Sequence, residues 1–160
     1  MNQIFESERI SFEKVSASLI EAYLTMVNDM EFVNRFISNR RDYITSEEEK
    51  AWVNKKIAEE ALIYSMIEKK TGEFIGNIEF MDCDSDVKEL GIAITAAKQN
   101  KGFGTEAVKR IIQYGFETLG FKKIVLRTNL ENARAIHVYQ KCGFIIYGQT
   151  EEHYLMEITK

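Results

Sequence analysis

Apolar and polar residues alternate from Ile10 to Val15, the period of a strand with one buried face. The period then changes: Leu19, Ile20, Tyr23, Leu24 and Val27 recur at helical spacing, with Ser16 or Ser18 available as a cap. Over 29–44, "DMEFVNRFISNRRDYI", aromatic and basic residues follow one another without a clean period, which reads as a short helix and a loop. A second helix begins near residue 46. Ser46 and Glu49 have capping-box spacing, acidic residues fill the first turn, and Trp52, Val53 and Ile57 mark one face.

Two apolar runs around Lys69, Lys70, Thr71 and Gly72 predict a hairpin. A further strand over 88–95 sets Leu90, Ile92 and Ile94 on one face and Glu89, Gly91 and Ala93 on the other. Ala107, Val108, Ile111, Ile112, Gly115, Phe116 and Leu119 form a helical stripe that Gly120 closes. "KKIVLRTN" reads as a strand, and "NARAIHVYQKCG" as a helix capped by Asn132. "FIIYGQTEEHYLMEIT" reads as two strands about a polar turn. The predicted order is β-α-α-β-β-β-α-β-α-β-β, a mixed α/β (α+β) chain.

One junction in this order points to chemistry. The strand at 88–95 runs through "AAKQNKGFGTEA" straight into a helix, with Gly102 and Gly104 at the transition. The first amides of a helix lack internal partners and lie at the positive end of its dipole, so a phosphate can sit on them. Glycines there bring the backbone close to such a phosphate, and Lys98 and Lys101 add attraction. The same two glycines also suit a plain tight turn. Neither GxxxxGK[ST] nor GxGxxG occurs, which removes the Walker A and dinucleotide fingerprints.

Composition narrows the partners. With 160 residues, 45% hydrophobic and 29% charged, the chain has the size and balance of a single globular domain over 1–160. A net charge of −4 argues against nonspecific nucleic-acid binding and leaves room for a local phosphate site. No stretch has the length of a signal-peptide core or a membrane span, so a cytoplasmic protein is expected. Cys83 and Cys142 match neither a zinc pattern nor a disulfide framework and are expected to be buried thiols; no metal is expected. There is no proline, so glycine and asparagine punctuate the chain.

The segment "QNKGFGTEA" resembles the Q/R-x-x-G-x-G/A motif of the GNAT N-acetyltransferase superfamily, and "NLENARAIHVYQKCGF" resembles its companion segment, in the right order and spacing. The N-terminal half and the "ELGIAI" strand are similar to the RimJ/RimL-like branch, which acetylates ribosomal proteins. This resemblance implies a mixed, mostly antiparallel sheet that splays open beside strand 88–95, flanked by helices, with acetyl-CoA in the gap. Backbone groups of Ile92, Ala93 and Ile94 would then pair with the pantetheine arm. Gln99, Asn100, Lys101, Gly102, Phe103, Gly104 and Thr105 would wrap the pyrophosphate, Asn132 would contact the pantetheine, and Tyr139 would lie near the sulfur. Many relatives have proline where Ala96 stands and an aromatic where Lys98 stands.

Acetyl transfer to an amine needs a neutral amine and a protonated leaving thiolate, and requires no enzyme nucleophile. Tyr139 is the candidate general acid, one and a half turns beyond Arg134 on a helix whose N-terminus would face the donor. Glu89 is the candidate base; Glu79 and Glu151 are weaker ones. His137 and Cys142, five apart on one helix, point to different sides and make no nucleophilic pair. The acceptor is expected to be a protein N-terminal amine or a small-molecule amine. The resemblance implies that it would enter by the loops at 36–43, where Arg40 and Arg41 lie, and at 151–154. A non-catalytic acyl-CoA-binding sensor is the alternative, and the last strands leave an edge on which a homodimer could form.

Overall fold

The computed structural model describes residues 2–37, 42–84 and 86–160. Arg40 and Arg41 lie outside the described residues. In chain order the elements are β1 (Gln3–Glu6), β2 (Ile10–Lys14), α1 (Ile20–Val27), α2 (Ser46–Ala58), β3 (Ile63–Glu68), β4 (Phe74–Asp84), β5 (Val87–Ile94), α3 (Phe103–Gln113), β6 (Lys123–Asn129), α4 (Ala133–Lys141), β7 (Ile145–Gln149) and β8 (His153–Thr159). The described residues form one eight-stranded sheet ordered β1-β2-β3-β4-β5-β6-β8-β7.

Every pairing is antiparallel except β5 with β6. That parallel contact covers Val87, Lys88 and Glu89 opposite Lys123, Ile124 and Val125. Beyond it β5 stays on β4 as far as Ile94, while β6 stays on β8 as far as Asn129. The sheet therefore opens into a wedge between Leu90 and Ile94 on one side and Leu126 and Asn129 on the other. This is the splayed, mostly antiparallel sheet that the sequence predicts.

The two faces carry separate cores. Phe80 and Leu90 pack with Ala107, Val108 and Ile111 of α3 and with Tyr139 of α4. On the opposite face Ile20 and Tyr23 of α1 meet Val53 of α2, with Trp52 and Phe74 against them. Alternation along β4 and β5 thus turns Asn77, Glu79, Glu89, Gly91 and Ala93 toward α1 and α2.

Several expectations need correction. β1 was not foreseen, because four residues with Phe5 alone buried make too short a pattern to register. The cap of α2 is Thr45 with Glu48, not Ser46 with Glu49: both registers have the spacing, but Thr45 holds the extended backbone and accepts from Glu48 N. Glu49 is instead buried, at 4% exposure. The helical stripe after α3 continues as a π turn over Tyr114–Thr118, which sets Tyr114 on Phe5 with ring centroids 4.0 Å apart. The thiols are not both buried: Cys83 is exposed and Cys142 half-buried.

Candidate active site

The wedge opens into a cavity of about 560 Å³, within the range of small-molecule sites. One wall includes Ile92, Ala93, Ile94, Gln99, Asn100, Gly102, Gly104, Thr105, Asn132 and Tyr139. Lys101 and Phe103 complete the turn between β5 and α3 without lining the cavity. Phe103 is buried at 2% exposure, and the Arg9 guanidinium covers its ring. Residues that the sequence grouped by motif are thus brought to one place by the splay.

Strand phase decides which backbone groups face the opening. Thr95 N–H donates to Ile75 O at 2.9 Å, so alternation turns the N–H and C=O of Ala93 and Gly91 to β4 and those of Ile92 and Ile94 to the wedge. Ile92 and Ile94 can therefore pair with an added extended chain. Ala93 contributes its side chain to the wall, and its backbone groups belong to β4.

At the helix start Gly102 has φ 84°, a left-handed conformation that suits glycine. It turns the chain so that α3 begins at Phe103 with its free amides at the cavity mouth. This fits the pyrophosphate of a CoA donor. Lys98, expected to add attraction there, is committed elsewhere: its ammonium bonds Glu68 and Glu73, each at 2.8 Å. Bonds to those two carboxylates push its pKa up.

On α4, Asn132 caps as predicted, its Oδ1 accepting from Ala135 N at 3.2 Å. Tyr139 is buried at 8% exposure and meets Phe144 edge to face, with centroids 5.8 Å apart. Burial, then the nearby Cys142 thiol, push its phenol well above the usual tyrosine range, so it holds its proton at neutral pH.

The other half of the cavity is lined by Glu48, Glu49, Glu79 and Glu89 beside Trp52 and Tyr23. Glu89, the base chosen from sequence, accepts from Arg127 Nε at 3.0 Å. Glu79 sits opposite Gly91 on the neighbouring strand. A Cβ on Gly91 would come 3.0 Å from Met81 Cε and into ordinary contact, 3.4 Å, with Glu79 Cγ, so Gly91 packs between these two side chains of β4. Burial pushes the Glu79 pKa up, Lys56 opposes this, and the Glu89 charge adds to it. Glu151, exposed in the turn before β8, is not among the lining residues.

Two contributors, Arg9 and Asn77, were not anticipated, and Gln99, expected at the pyrophosphate, makes a contact that was not. Arg9 reaches the turn between β5 and α3 from the turn after β1. Gln99 ties the turn between β5 and α3 to Phe32 by Nε2 donation to the Phe32 carbonyl at 3.0 Å. Asn77, 9% exposed, lines the cavity and accepts from Ser65 Oγ at 2.9 Å. Asn77 shares the period-2 face of Glu79 and was findable from the pattern; the contacts of Arg9 and Gln99 have no local signal.

A family model described as an acetyltransferase (GNAT) domain matches residues 9–145. Over 138 residues the chain is 28% identical to the spermidine N(1)-acetyltransferase of Vibrio cholerae, covering 80% of each protein. It is 26% identical to the acetyltransferase PseH of Campylobacter jejuni over 90% of this chain and 88% of that one. Among solved structures, a GNAT-family acetyltransferase from Bacillus anthracis superposes with a TM-score of 0.87 at 22% identity, covering 96% of each chain. The V. cholerae spermidine N-acetyltransferase in complex with CoA and spermine gives 0.85 at 21% identity, also over 96% of each. The narrower resemblance to the ribosomal-protein branch has no counterpart among these relatives. Matched over most of its length by the family model and carrying the family's splayed sheet and glycine turn, the chain belongs to the GNAT family and is an acetyl-CoA-dependent N-acetyltransferase.

Proposed function

We propose that the protein acetylates a primary amine of a small polycation, a polyamine such as spermidine, by direct attack on the thioester in a ternary complex. The observation that carries this reading is the acidic half of the cavity. Glu48, Glu49, Glu79 and Glu89 line it with Trp52 and Tyr23, and Arg127, also on the cavity wall, is bonded by Glu89. Such a wall attracts an acceptor with more than one positive charge, and Trp52 offers an aromatic side chain to its ammonium groups. The spermidine acetyltransferases among the relatives support the same class.

Polyamine nitrogens are mostly protonated at neutral pH, and attack requires a neutral one. Glu79 is assigned as the base ahead of Glu89, since its raised proton affinity suits removal of that proton. Glu89, held by Arg127, supplies the neighbouring charge. Tyr139 is assigned as the acid that protonates the departing sulfur. Gly102, the α3 amides, Ile92, Ile94 and Asn132 hold the donor. The edge strand β7 leaves Ile145 63% and Tyr147 50% exposed, which supports a homodimer.

The test is release of free thiol from acetyl-CoA with spermidine, spermine, short monoamines and peptides bearing free N-termini. Preference for the polyamines is expected. Turnover of peptide N-termini with none of the polyamines would overturn the acceptor assignment and favour protein acetylation.

A further inference from the structure

Gln99 holds three parts of the molecule together. Its Nε2 donates to Ile94 O at 2.9 Å and to Phe32 O at 3.0 Å, and its Oε1 accepts from Arg134 Nη1 at 2.8 Å. The orientation of the carboxamide follows from its partners, because a flip would set NH₂ against a guanidinium and C=O against two carbonyls. Ile94 O faces the wedge where the donor's arm lies. Arg134 belongs to the first turn of α4, and Phe32 lies on the cavity wall near Trp52.

Phe32 belongs to a turn with its own internal bonds. Phe32 N donates to Asp29 Oδ1 at 2.9 Å, Asn34 N to Asp29 O at 2.8 Å, and Asn34 Nδ2 to Val27 O at 3.0 Å. These bonds make residues 29–34 one hydrogen-bonded turn. Among the described residues, another tie from the following residues to the α4 side is the ion pair of Arg35 with Glu131 at 3.6 Å, with both side chains about half exposed or more; such pairs are weak. The Gln99 amide is therefore the principal connection between the phosphate loop and this stretch of the acceptor wall.

We propose that Gln99 is a positioning residue through which donor and acceptor binding strengthen each other. The donor holds residues 99–105 in the geometry seen here, and that geometry holds the Phe32 carbonyl and the wall attached to it. Linkage makes the effect reciprocal: an acceptor seated against the wall raises donor affinity by the same factor. Enclosure of the acceptor rests on the assignment of this half of the cavity to it; the mechanical tie does not.

The experiment has two arms, both at saturating CoA so that weaker donor binding in a variant is compensated. In the first, amide hydrogen exchange over 29–36 is followed with and without CoA. CoA should slow exchange about fivefold in the wild type, the low end of measured couplings, and leave it unchanged in Gln99→Ala. Gln99→Glu keeps the acceptor for Arg134 and loses both donors, so it should behave as Gln99→Ala does. In the second, calorimetry measures spermidine affinity with and without CoA, and the wild type should gain about fivefold where the variants gain nothing. CoA-dependent protection that persists in both variants would overturn the proposal. Failure of spermidine to bind the wild type would overturn the acceptor assignment alone, leaving the exchange arm to decide the role of Gln99.

Discussion

Arg9 and Glu106, 97 positions apart, are joined by an ion pair of 2.7 Å that fastens the start of α3 to the turn between β1 and β2. Glu106 also accepts from Arg9 N at 2.8 Å and from Ser7 Oγ at 2.5 Å. Burial pushes the Glu106 pKa up, but these bonds outweigh it and hold the carboxyl below the usual range. The same guanidinium donates to Lys101 O at 3.1 Å, lies 4.3 Å over the Phe103 ring, and passes 3.2 Å from where a Cβ on Gly102 would be. One side chain thus braces the turn between β5 and α3 from behind.

Arg9→Ala should loosen that turn more than the fold. The pair is partly exposed, with side chains 43% and 18% accessible, so the stability loss should be modest, about 1 kcal/mol. Acetyl-CoA affinity should fall by roughly tenfold, about 1.4 kcal/mol of lost loop order. Calorimetric titration with acetyl-CoA alongside a denaturation curve checks both numbers. Unchanged affinity with lowered stability would mean that the brace serves the fold alone.

Glu79→Gln should cut kcat by roughly 10²–10⁴, the usual worth of general acid–base assistance, with little change in acetyl-CoA affinity. The pH dependence has a defined sign. Because burial raises the Glu79 pKa, the base is lost on acidification at a higher pH than an ordinary carboxylate, and that acid limb should vanish in the variant. Stability should move the opposite way to activity. A carboxyl whose folded pKa is raised contributes stability below its unfolded pKa, and that contribution is lost as pH rises through the folded pKa. At neutral pH the buried charge is therefore a cost, and the glutamine variant should be the more stable protein. A pH–rate profile and melting curves at neutral and acid pH decide the matter, and a profile unchanged by the substitution would remove Glu79 from the mechanism.

Most of the fold was legible because its elements carry strong periods: α3, α4, β5 and the 63–84 hairpin fall where the pattern puts them. The glycine turn and the Asn132 cap were legible because their chemistry is local. What escaped was non-local. Glu89 was preferred to Glu79 on the sequence, although the two share one face; Arg127, 38 positions beyond Glu89 and brought beside it by the pairing of β6 with β5, distinguishes them. Lys98 was expected to add attraction for phosphate, but Glu68 and Glu73, on the hairpin and 30 and 25 positions away, hold its ammonium. Partners at such separations are set by sheet order, which no local pattern encodes.

Tyr139→Phe isolates the acid. The ring keeps its edge-to-face contact with Phe144 and its burial beside α3, so the fold and donor affinity should stay near wild type. Turnover should fall by about 10²-fold as the proton source is lost. The deficit should shrink with acetyl donors whose leaving thiol is more acidic, since these depart without protonation. Comparing kcat for acetyl-CoA with that for an acetylated aryl thiol on both proteins measures this. An equal deficit with both donors would assign Tyr139 to positioning.

Gly102 allows strain to be separated from charge. Its φ of 84° disfavours any side chain, by roughly 1–2 kcal/mol, and a Cβ there would come 3.2 Å from Arg9 Nη2, a flexible neighbour able to yield. Gly102→Ala should therefore cost stability of that order and weaken acetyl-CoA binding by a limited factor. Gly102→Asp meets the same strain and adds a negative charge where the donor's phosphates approach the α3 amides. Acetyl-CoA binding should be lost in the aspartate variant while pantetheine, which lacks the phosphates, binds the aspartate and alanine variants alike. Calorimetry with both ligands on both proteins reads the difference. Equal acetyl-CoA affinity in the two variants would show that this turn bends the chain without touching phosphate.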